Sequence, residues 1–162
     1  MDFLTNDFIE KHLKMCKHSL KKNGDIQPFF LIQKSGNQGL APIPLVNDKF
    51  RMSFWVSSIC EFNPDAFVLT STGWLKLFKR KIPKNYQYGD IKKFKGKKEV
   101  LIIWIADFKK NLVKNFIYEI LRTKDDIKLV KLTERNELDS GAVSNTIRTH
   151  MNKVKDIGMY VV

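Results

Sequence analysis

Pro64-Asp65 and Asp107-Phe108-Lys109 are the residues whose types and spacing could do the most specific chemistry. If Asp65 opens one strand and Asp107 closes the antiparallel strand beside it, both carboxylates reach the same end. There they could hold Mg²⁺, polarise a phosphate and orient water, with Lys109 stabilising developing charge. Glu99 falls at the opposite end of that strand. The plain alternative is structural, with Asp65 capping a turn and Asp107 solvated at a strand end.

A second kind of chemistry lies in the charge. The chain has 162 residues and a formal net charge of +12, from 29 Lys and Arg against 17 Asp and Glu. The excess is not spread evenly: residues 76–98 hold ten bases and one acid, while the stretches before and after them are nearly balanced. Phe78, Tyr86, Tyr88 and Phe94 are interleaved with those bases. Lysines can neutralise phosphates while aromatic rings stack on exposed bases, a composition suited to single strands rather than to reading a duplex. Lys79, Arg80, Lys81, Lys84, Lys92, Lys93 and Lys95 are the candidate anion-binding residues, and Tyr86 and Tyr88 the candidate stacking residues. A solvated hairpin whose aromatics cover the core edge is the alternative use of the same composition.

Other clusters carry less. His12 and Cys16 share a helix face at spacing four, but a metal site needs three or four ligands and His18 points elsewhere. No metal and no cofactor is expected. Cys16 and Cys60 read as reduced, buried small hydrophobes. Ser71-Thr72-Gly73 lacks the phosphate-loop pattern and reads as a turn that lets Trp74 cover the core. Glu134, Glu137 and Asp139 read as acidic residues leading into a last helix.

The elements that must position these residues follow from periodicity. Ile9, Leu13, Cys16 and Leu20 predict a helix over residues 6 to 22, capped by Asn6 or Asp7 and stopped at Asn23-Gly24. Residues 26–33 and 40–46 read as a hairpin around Ser35-Gly36-Asn37; Pro42 and Pro44 place the second strand at a sheet edge. Met52, Trp55, Val56, Ile59 and Phe62 predict a second helix beginning at Asp48. Residues 65–72 form a buried strand closed by Gly73-Trp74, and the basic segment is a long loop or irregular hairpin. Residues 100–105 are apolar on both faces, hence a central strand, followed by strands at 112–122 and 127–132. Val143, Ile147, Met151 and Val154 suggest a last helix. The expected fold is one α+β domain over residues 1–162, in the order α-β-β-α-β-β-β-β-α. It has a mostly antiparallel sheet of five or six strands with two or three helices packed against a face.

This pattern resembles a family of uncharacterised prokaryotic and phage proteins. The matching residues are Phe29 to Ile32, Pro42-Ile43-Pro44, the Met52 to Ile59 helix, and Ala66-Phe67-Val68-Leu69 followed by Ser71-Thr72-Gly73-Trp74. The resemblance covers residues 10 to 122, supports the fold and implies no catalytic residue. The family's loop after the tryptophan is usually short and of mixed charge, whereas here it is the basic segment. The Asp65, Asp107 and Lys109 pattern separately resembles that of metal-dependent nucleases of the restriction-endonuclease type.

The composition, 43% hydrophobic, excludes a disordered chain, and the longest apolar run is far shorter than the roughly 20 residues of a membrane-spanning helix. The first 20 residues lack the features of a secretory signal, so a cytoplasmic protein is expected. The leading functional expectation is a small non-enzymatic binding protein whose basic loop contacts nucleic acid or an acidic protein, with no membrane partner. A Mg²⁺-dependent nuclease is the alternative, and a homo-oligomer using the proline-bearing edge or the last helix is a third possibility.

Overall fold

Helix α1, Asn6–Asn23, follows the predicted apolar spacing and buries Phe8, Ile9, His12, Cys16 and Leu20. A computed structural model describes residues 1–44, 49–76, 84–85, 90–136 and 145–152. The helix begins at Asn6 as predicted, but its cap differs: Thr5, not Asn6 or Asp7, is the N-cap, its hydroxyl accepting the Phe8 N–H at 3.3 Å. Gly24 ends the helix at φ 77°, a left-handed conformation that a side chain disfavours, and donates its N–H to the Leu20 carbonyl.

Six strands follow: β1 Phe29–Lys34, β2 Asn37–Pro42, β3 Ala66–Leu75, β4 Lys98–Asp107, β5 Leu112–Arg122 and β6 Ile127–Arg135. Helix α2, Lys49–Glu61, lies between β2 and β3, and a final helical segment covers 145–152. The strands form one sheet in the order β2-β1-β3-β4-β5-β6, with every neighbouring pair antiparallel. The fold is therefore α+β, in the expected element order, and β2 is an edge strand as Pro42 requires.

Several boundaries differ from expectation for local reasons. Ser35 and Gly36 both have positive φ, 50° and 80°, making a two-residue hairpin turn. That places Asn37 inside β2 and ends β2 at Pro42, so Pro44 lies beyond it. Strand β3 does not close at Gly73-Trp74. Gly73 pairs with Val100 and Trp74 with Glu99, because β4 offers a ten-residue partner and the ladder continues to Leu75. Trp74 is 40% exposed, so it does not cover the core as expected. Phe62 also departs from its predicted stripe: it follows α2, is 70% exposed and lies under the Lys34 ammonium. Glu134 belongs to β6 and pairs with Lys131, while Glu137 and Asp139 lie outside the described residues.

The helices occupy both faces of the sheet, not one. Successive strand residues point to opposite sides. On one side, α1 packs against Val68, Leu101, Ile103, Ile105, Phe116 and Tyr118. On the other, Val56 and Cys60 of α2 join Ile147 and Met151 against Phe30, Phe67 and Leu69. Phe67 lies at the centre of this second layer, edge-on to Phe30 at 5.4 Å and 5.7 Å from Phe108. Cys16 and Cys60 are both free and buried, one in each layer. Burial pushes each thiol up to about 12. No helix among the described residues is long and apolar enough to cross a membrane.

Candidate functional site

The antiparallel pairing separates the sheet into two chemically different ends. At one end, Ala66 pairs with Asp107, so Asp65 arrives beside the β4–β5 turn that carries Lys109 and Lys110. Asp65, Asp107 and Lys109 line one cleft of about 360 Å³, together with Asp2, Gln33 and Lys110. Strand pairing alone thus brings the three candidate residues to one place.

Their carboxylates are engaged there. Asp65 accepts the Ser35 N–H at 2.7 Å and meets Lys109 Nζ at 3.0 Å, and the lysine above all holds its carboxyl below the usual range. Asp107 accepts the Lys110 N–H at 2.8 Å, closing its own turn, with Lys110 Nζ 3.8 Å from its other oxygen. Lys110 also pairs with Asp2, whose second role is to accept the Leu4 N–H. Each of Asp2 and Asp65 is held ionised by an adjacent ammonium. Sequence spacing does not single out Asp2 or Lys110. Their only signal is the neighbourhood of Lys110 to Lys109, since Asp2 reaches the cleft by the approach of α1. Among the described residues, no group of three or more His, Cys, Asp or Glu side chains is placed to hold a metal ion.

At the other end of the sheet β3 runs into, and β4 out of, the basic segment. Lys79, Arg80, Lys81, Tyr86 and Tyr88 lie outside the described residues. Lys84, Lys93 and Lys95 are exposed, and Lys92 belongs to a short 3-10 turn, Asp90–Lys93. Lys76 Nζ donates to the Lys95 carbonyl at 2.6 Å, which ties the returning chain to the end of β3. Gly96 turns the chain at that point with a φ of +70°, a conformation that a side chain disfavours. The next residue, Lys97, places its ammonium 5.0 Å from the centre of the Trp74 ring.

Three carboxylates at this end are matched by bases. Glu99 receives two hydrogen bonds from Arg122, at 2.8 and 2.7 Å, and Glu119 pairs with Lys98 at 2.7 Å. Asp126 meets both Lys21 and Lys17, which hold its carboxyl far below the usual range. Lys76, Lys97 and Lys98 are half-buried at the mouth of the segment, and Lys98 pairs with Glu119. Trp74 escapes notice as a functional candidate in the sequence because Gly73 before it suggests a turn. The available signal is its position immediately before the basic run.

His12 and Cys16 form no ligand set. His12 is 5% exposed, with Nε2 2.7 Å from Thr70 Oγ1, a hydrogen bond in which the ring tautomer decides which atom donates. Ser71, Thr72 and Gly73 belong to β3 and make no anion-binding turn. In comparisons with family models, curated proteins and solved structures, nothing matches this chain.

Proposed function

We propose that this chain is a non-enzymatic binding protein that captures an anionic polymer through its 76–98 segment. The reading rests on one observation: the concentrated charge enters and leaves the sheet at a single strand end, where Lys76, Lys95, Lys97 and Lys98 gather, with Glu99 paired to Arg122 and Glu119 to Lys98. Lysine is a compact point charge that suits phosphate or carboxylate neutralisation without bidentate recognition. Binding is then driven by counterion release and is steep in salt.

The test is titration of a single-stranded oligonucleotide, and separately of polyglutamate, at low and rising salt. Converting Lys79, Arg80, Lys81, Lys92, Lys93 and Lys95 to Gln should weaken binding strongly. For the oligonucleotide, the slope of log K against log salt should flatten by about 4, from roughly 0.7 per phosphate contact on a single strand. Equal binding by wild type and variant defeats the reading.

A second reading, metal-dependent phosphodiester hydrolysis, is favoured by the convergence of Asp65, Asp107 and Lys109 in one cleft. A cation bound there would replace the Lys109 contact on Asp65. Cleavage of DNA or RNA that needs Mg²⁺ or Mn²⁺ and disappears in Asp107→Ala supports this reading; metal-independent or absent cleavage removes it.

A further inference from the structure

We infer that Trp74 is a stacking platform for an unpaired base, so that the anionic polymer taken by the basic segment is a single-stranded nucleic acid. This rests on the proposed binding reading and specifies its ligand. Trp is a large apolar side chain that usually buries its rings, yet Trp74 is 40% exposed one pair before the end of the β3–β4 ladder, where the basic run begins. Its backbone is not free to move the ring away, since Trp74 is paired with Glu99 and that carboxylate is clamped by Arg122.

The ring is accompanied by charge of the right kind. Lys97 lies over it at 5.0 Å, and Lys76 is fixed by its bond to Lys95 on the same stretch of chain. A base has a π face that can lie on indole, while its flanking phosphates require cations one nucleotide away. Lys97 places a cation beside a base stacked on the ring. Polyglutamate would use the lysines but has no aromatic face to lie on the exposed ring. In a duplex the faces of the bases are occupied by their neighbours, which leaves the ring without a partner.

The experiment measures binding of a labelled oligothymidylate, a duplex of matched length and polyglutamate by anisotropy or competition, using wild type, Trp74→Ala and Trp74→Phe. The platform predicts that Trp74→Ala weakens oligothymidylate binding about tenfold, with an unchanged salt slope, and that Trp74→Phe restores most of the loss. Duplex and polyglutamate binding should not respond to either substitution. Indole fluorescence should be quenched by the oligonucleotide in wild type and less so in Trp74→Phe. If oligothymidylate binds wild type and Trp74→Ala alike, the platform is wrong while the basic-segment reading stands. The platform is equally wrong, and the basic-segment reading equally intact, if only polyglutamate binds or if Trp74→Ala weakens all three polyanions to the same degree. If none of them binds at low salt, both fall.

Discussion

Lowering the pH from 6.5 to about 4 is expected to remove about 3 kcal/mol of folding stability through His12 alone. Burial pushes this imidazole down to about 4 in the folded chain, against 6.5 when unfolded. The ring lies between Phe8, at 5.4 Å, and Phe29, at 5.8 Å, and its polar contact is the Thr70 hydroxyl. The sign follows from proton binding. Across this window the unfolded chain takes up a proton that the native core refuses, so stability is complete above 6.5 and falls as the pH drops. Paired carboxylates such as Asp65 and Asp126 have lowered pKa values and add their own losses at more acidic pH, below the His12 window. Urea midpoints measured at several pH values would resolve the effect. His12→Gln, neutral throughout, should flatten the profile between 6.5 and 4 while lowering stability at neutral pH; an unchanged profile in the variant would assign the titration elsewhere.

Replacing Phe67 by Ala is expected to cost about 3–5 kcal/mol. The side chain is fully buried, and its ring makes the contacts with Phe30 and Phe108 that join β1, β3 and the β4–β5 turn under α2. Loss of the ring leaves a cavity that neighbours on three elements cannot all fill. The consequence reaches function, because β3 carries Asp65 just before one end and Trp74 near the other. Equilibrium unfolding should show a lower denaturant midpoint with an unchanged slope, and Phe67→Leu should recover part of the loss. A cost below about 1 kcal/mol would mean that this layer is not closely packed.

Much of the architecture is legible in the sequence because it rests on local spacing. Ile9, Leu13, Cys16 and Leu20 define the buried side of α1, and the uninterrupted apolar run from Val100 marks β4 as central. The sheet edge is legible from Pro42, which lacks an N–H for a further ladder. Element ends are harder. The expected β2 begins three residues late because the hairpin turn uses only Ser35 and Gly36, each with positive φ. The expected β3 ends early because Gly73 reads as a terminator until a partner as long as β4 supplies hydrogen bonds through Leu75.

Sequence by itself determined the helix and strand order, the central place of β4 and the concentration of charge between Lys76 and Lys98, since periodicity and charge are properties of neighbouring residues. It also named Asp65, Asp107 and Lys109. Tertiary structure decided which distant residues share a site. The register that sets Ala66 opposite Asp107 joins the acidic cleft, and the approach of α1 brings Asp2 to Lys110. The same register carries Trp74 past its glycine to an exposed position under Lys97. A one-residue slip in an antiparallel ladder would turn that ring to the opposite face, so its exposure depends on long-range pairing that no local pattern encodes.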